Sequence, residues 1–176
     1  MSMRSIALLL ALLSAHASAE LRPDLTPMLG MPPAADFAPT ILPDGSGLPA
    51  GSGSAVAGEM LYRSTCAACH GLGGQQAGNA LVGGKGTLLE PQGVRTIGSY
   101  WPYATTLYDY IATAMPYGNE KSLDTDETYA IVAYLLFLNG IVTHDTRLDE
   151  KSLPRIEMPN RDRFFTAEGY NATGVR

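Results

Sequence analysis

Cys66-Ala67-Ala68-Cys69-His70 sets two thiols and an imidazole side by side in the chain. C-x-x-C-H is the spacing at which two cysteines add to the vinyl groups of a haem while the next residue ligates its iron. On a helical turn, positions three apart share a face. Cys66 and Cys69 therefore reach one porphyrin edge, and His70 follows where its imidazole can lie under the ring. A zinc site and a redox dithiol use the same pair. A closed zinc site wants four nitrogen or sulfur ligands, and the chain holds only these two cysteines and, outside its N-terminal leader, only His70 and His144. A thioredoxin-like dithiol sits at a strand-to-helix junction, and nothing here alternates strands with helices. The residues thus point to one covalently bound haem c whose iron is held by His70.

An electron-transfer haem needs a second axial ligand from the protein. The candidates are His144 and the methionines Met28, Met31, Met60, Met115 and Met158. Met60 feeds the His70 side of the ring, Met28 and Met31 fall in a proline-rich stretch, and Met158 falls in a polar tail. Met115 precedes Pro116, which pushes it out of helical geometry into a loop where its side chain can be aimed. His144 is its rival, beyond the last helix with no structure expected to fix it, and a core methionine filling a gap is the other reading of Met115. Methionine sulfur is a soft, neutral donor, so a His70/Met115 pair would raise the reduction potential relative to two histidines.

The elements that must position these groups are few. Ser54 can cap a helix running through Val56, Gly58, Met60, Leu61 and Tyr62 into the haem motif. Gly58 marks a close crossing with another helix. The partner is expected at Thr125 to Leu138, opened by Asp124 with Glu127 three residues later and closed by Asn139-Gly140. Its apolar residues lie nearly all round, and Tyr134 is expected over Gly58. A third helix runs from Thr105 or Thr106 to Ala114, with a threonine as cap. Gly71 to Gly86 is too rich in glycine for helix or strand, and Gly83-Gly84-Lys85-Gly86-Thr87 lacks the spacing of a phosphate loop.

The N-terminus has Arg4, an apolar run from Ile6 to Leu13 and Ala17-Ser18-Ala19, the pattern of a secretory signal peptide over residues 1–19. No apolar run is long enough for a membrane span. Without Arg4, eleven basic residues face seventeen acidic ones, a net charge of −6 that argues against a nucleic-acid or anionic-membrane partner. Residues 20–53 hold seven of the twelve prolines and read as an extended arm or a flexible leader. Residues 143–176 are polar, mixed in charge and broken by Pro154 and Pro159.

Gly58-x-x-Leu61-Tyr62, Cys66-Ala67-Ala68-Cys69-His70-Gly71, Met115-Pro116 and Ala130-Ile131-Val132-Ala133-Tyr134-Leu135 resemble class I cytochromes c, over about residues 54–142. The resemblance implies an all-α fold, a single class I cytochrome c domain, here with extended N- and C-terminal arms. A narrower resemblance rests on Asp44 to Gly53, Gly98 to Thr106, Met115-Pro116 with Ser122-Leu123, and Met158-Pro159-Asn160-Arg161-Asp162. These are similar to cytochrome subunits serving periplasmic molybdenum sulfite dehydrogenases, and to the cytochrome c domain of sulfane dehydrogenase. What this implies is a periplasmic protein taking single electrons from a molybdenum sulfite or sulfane dehydrogenase catalytic subunit and passing them to a downstream cytochrome c or oxidase. The single C-x-x-C-H tilts the choice toward sulfite.

The pattern departs from the family at one point. Class I cytochromes usually offer a proline carbonyl to the proximal histidine, and Gly73 to Val82 contains no proline, so another carbonyl must orient His70. Arg95, Tyr100 and Trp101 are placed to hold haem propionates or to form a core cluster. The competing functions are a general electron carrier to a terminal oxidase and a haem sensor or peroxidase-like enzyme, the last requiring an open iron position.

Overall fold

The computed structural model describes residues 40–164. The signal-peptide reading, the first part of the proline-rich arm and the candidates Met28 and Met31 lie outside the described residues. The elements are strand β1 (Ser52–Ser54), helices α1 (Ala55–Thr65), α2 (Ala67–His70), α3 (Ala104–Ala114) and α4 (Thr125–Leu138), and strand β2 (Arg147–Asp149). Two single 3-10 turns, Leu153–Arg155 and Arg161–Arg163, follow. Among the described residues no helix is long and apolar enough to cross a membrane.

α4 is the centre of the fold. Asp124 Oδ1 accepts from the Glu127 N–H at 2.8 Å while Glu127 Oε2 accepts from the Asp124 N–H at 2.9 Å, a reciprocal cap that satisfies two otherwise orphaned donors. From Thr128 to Leu136 every residue is buried, so the helix is packed on all sides as its unbroken apolar run requires. α1 starts where Ser54 Oγ accepts from the Ala57 N–H at 3.2 Å. It crosses α4 at Gly58, where a Cβ would run into the Ala130 carbonyl and stand 2.9 Å from Tyr134 Cβ. The helices meet backbone to backbone there, and the Tyr62 and Tyr134 rings pack beside the contact with centroids 5.4 Å apart.

The remaining segments correct the sequence reading in three places. α3 begins at Ala104, and Tyr103 at its N-terminus supplies no side-chain cap, so the expected threonine cap does not form. Thr105 Oγ1 is instead buried with no partner among the described residues, because burial of Ala104, Leu107, Tyr108 and Ile111 sets where the helix starts. The fold is not purely helical: β1 pairs antiparallel with β2 in the register Ser52 to Asp149, Gly53 to Leu148 and Ser54 to Arg147. That small sheet ties the segment before the cytochrome-like region to the segment after it.

The third correction concerns the polar tail. Leu148, Leu153 and Met158 are buried in the same core as α4, and Asp149 Oδ1 accepts from the N–H groups of Lys151 and Ser152 to turn the chain between them. Apolar residues five apart match neither the helical nor the strand period, which is why the sequence shows this segment only as polar and mixed in charge. On the N-terminal side, Ile41 and Leu48 pack against the core and the Tyr129 hydroxyl donates to the Pro49 carbonyl at 2.9 Å.

Candidate haem site

α2 is a single turn whose N-cap is Cys66 and which carries Cys69 and His70. The His70 N–H donates to the Cys66 carbonyl at 3.0 Å, and Gly71, at φ +78°, lets the chain leave the turn in a direction a side chain would resist. The Tyr62 hydroxyl donates to the Gly71 carbonyl at 2.8 Å, fastening the exit to α1. Burial pushes the Tyr62 phenol up to about 12, which keeps that donor protonated. Burial also pushes the Cys66 thiol up to about 11.

His70 Nδ1 lies 2.8 Å from the Asn79 carbonyl. A carbonyl only accepts, so Nδ1 carries the proton and the lone pair of Nε2 is left for a metal. This supplies the orienting carbonyl that the missing proline left unassigned. The loop is pinned to present it: the Gln76 N–H donates to His70 at 3.0 Å, the Leu81 N–H to Gly74 at 2.8 Å, and Asn139 Nδ2 to Leu81 at 3.2 Å. No side-chain signal in the sequence could have found Asn79, because every residue has a carbonyl and only the loop's path selects one.

A cavity of about 700 Å³ opens beside α2. Cys66, Cys69 and His70 line it together with Met115, which ends α3 in extended geometry at φ −124° and ψ 153°. Leu107, Ile111, Leu123, Ile131 and Leu135 supply apolar wall. The four sequence-predicted site residues thus share one cavity. The other described candidates do not reach it. Met60 is 75% exposed and Met158 is buried in the core, and neither lines the cavity. His144 also lies off the cavity, but not for want of support: its Nε2 is 3.0 Å from Glu59 Oε2 and its ring packs on Phe137 at 4.7 Å. Arg95 and Trp101 line the cavity, whereas Tyr100 does not; Tyr100 lies beneath the Arg95 guanidinium at 5.3 Å.

The donor set fits a haem c: two thiols at one edge, a histidine in the tautomer that frees Nε2, a thioether on another element, and a mostly apolar enclosure. Cys66 and Cys69 would anchor the group covalently, and His70 and Met115 would hold the iron. Held by these residues, such a haem would supply one-electron transfer. The chain's part is to fix the imidazole through Asn79, to place the thioether at the end of α3, and to exclude water with apolar wall. Among the described residues no three His, Cys, Asp or Glu side chains cluster as a metal site.

Residues 53–135 match the family model described as cytochrome C oxidase, cbb3-type, subunit III. A chain in the crystal structure of the sulfane dehydrogenase SoxCD from Paracoccus pantotrophus is similar over 86% of this chain and 71% of that one, at 38% sequence identity and a TM-score of 0.71. No curated protein matches.

Proposed function

The chain belongs to the cytochrome c family and is an electron-transfer protein, and from that premise we propose that it carries one covalent haem c and accepts single electrons from a periplasmic molybdenum sulfite or sulfane dehydrogenase. The observation that carries the electron-transfer chemistry is that His70 and Met115 line the same cavity as Cys66 and Cys69. With His70 and Met115 both holding the iron, the haem would offer no place to oxygen or peroxide, which weighs against a sensor or peroxidase-like role. On this reading the protein is exported to the periplasm, supported by the signal-peptide pattern of residues 1–19, and hands electrons on to a downstream cytochrome c or oxidase.

Similarity at 38% identity to a chain of a sulfane dehydrogenase supports a dehydrogenase of that class as the donor, and gives the sulfane substrate more weight than the motif count alone did. The segments flanking the cytochrome-like region also support a dedicated partner, because they enlarge the surface available for docking. A general carrier feeding a terminal oxidase is the second reading, favoured by the description of the family model.

The test is stopped-flow reduction of the oxidised protein. Neither sulfite nor a sulfane substrate should reduce it alone, whereas catalytic amounts of the cognate dehydrogenase with its own substrate should. The substrate that works identifies the donor class. Equal rates with an unrelated molybdenum enzyme, or no reduction by the cognate one, would return the protein to the general-carrier reading.

A further inference from the structure

We propose that the C-terminal segment is a positioning element of the haem site and acts through Asn160. The proposal deepens the reading of the cavity as a haem site and rests on it.

One wall of the cavity is the stretch Val94 to Ile97 with Trp101. It lies outside any helix or strand: Ile97 is buried in the core and the Trp101 ring packs on Tyr110 of α3 at 5.7 Å, while the backbone between them is shaped by buried polar side chains. Ser99 Oγ donates to the Val94 carbonyl at 2.5 Å and accepts from the Thr96 N–H at 2.8 Å, while Thr96 Oγ1 donates to the Gly83 carbonyl at 2.5 Å. Those bonds close the stretch upon itself and upon the glycine loop. Among the described residues the only polar tie to Tyr100 from a distant element is Asn160, whose Nδ2 donates to the Tyr100 carbonyl at 2.9 Å. Tyr100 is the immediate neighbour of Trp101, and its ring carries the Arg95 guanidinium at 5.3 Å. Trp101 and Arg95 both line the cavity. Holding Tyr100 therefore bears on the placement of both, with the Trp101 ring also packed on Tyr110.

Asn160 is 6% exposed. Leu153 and Met158 already bury the segment in the core, so adhesion alone would not call for an amide. A buried amide is costly unless its bonds are made, and what it adds over an apolar residue is direction. Phe164 meets the Tyr100 ring edge-on at 5.4 Å and Arg161 lies over the Tyr103 ring at 5.9 Å, so the segment grips both ends of the turn that precedes α3. A fixed wall keeps water from the cavity. Water admitted there favours the more highly charged ferric state, so loosening the wall lowers the reduction potential.

Trp101 is the chain's single tryptophan, and its emission reports the wall directly. In the haem-loaded protein, Asn160→Leu and Asn160→Asp should raise Trp101 emission several-fold over the quenched wild type and lower the midpoint potential. Asn160→Asp keeps the size of the side chain and removes the donor, so it serves where the leucine variant does not fold. Lys151→Ala, an exposed change in the same segment, should leave both readings at wild-type values. Unchanged emission and potential in Asn160→Asp would overturn the proposal, even if thermal stability fell, since that would make the amide a structural fastening only. Haem staining of the wild type tests the cavity's occupant separately. Were no haem attached, acrylamide quenching of Trp101 would still decide whether Asn160 fixes the wall: increased access in the variants supports it, equal access overturns it.

Discussion

The Asn79 main-chain carbonyl accepts a hydrogen bond from His70 Nδ1 at 2.8 Å, and the Asn79 side chain takes no part in it. Asn79→Ala is therefore expected to leave the haem spectrum and midpoint potential at wild-type values. Deleting Gly78 shifts the carbonyl along the loop and should perturb both. A large effect of Asn79→Ala on the absorption spectrum would show that the side chain, not the backbone, orients His70.

Met115→Ala should keep haem attachment but lose the sulfur-to-iron charge-transfer absorption and lower the reduction potential, because a weak ligand replaces a thioether. His144→Ala is the matched control and should keep the low-spin spectrum, since His144 is held by Glu59 away from the cavity. The reverse pattern would transfer the ligand assignment to His144.

Denaturing electrophoresis with haem staining should reveal one covalently attached haem per chain, with Cys66→Ala and Cys69→Ala each weakening the stained band. Staining that disappears on acid-acetone extraction of the wild type would mean that the group is not thioether-linked.

Gly58→Ala should destabilise the fold by about 3 kcal/mol, at the upper end of ordinary overpacking, because the added methyl meets the Ala130 carbonyl and not a side chain that can turn aside. Urea unfolding of the haem-loaded protein measures it. A variant within about 0.5 kcal/mol of wild type would show that the helices separate at no cost.

The turn after β2 should make stability fall in acid. The Ser152 hydroxyl and N–H, donating to Asp149, hold its carboxyl below its ordinary value, and Arg63, followed by His144, does the same for Glu59. A depressed folded-state value means stabilisation that is complete above the unfolded-state range and is lost as pH falls through the folded value. Urea midpoints should therefore drop on acidification below about pH 4, with a shallower slope in Asp149→Asn. An identical slope in the variant would remove Asp149 from the account.

Much of this protein is local chemistry and was legible as such. The spacing of Cys66, Cys69 and His70, the cap pair Asp124 and Glu127, the small residue at Gly58 and the proline after Met115 each act within a turn or two of chain, so residue types alone disclose them. The expected crossing of Gly58 with the α4 helix is present, with Ala130 taking the nearest contact ahead of Tyr134.

What the sequence alone determined, then, is a haem-attachment motif with its candidate ligands and the helices that carry them. What only the tertiary structure decided is which main-chain carbonyl meets His70, that the segment after α4 returns through β2 to bury Leu148, Leu153 and Met158, and that Thr105 starts no helix. These depend on where distant stretches of chain come to lie. Backbone carbonyls carry no residue identity, and apolar residues at an irregular spacing acquire a buried face only when α4 is there to cover them.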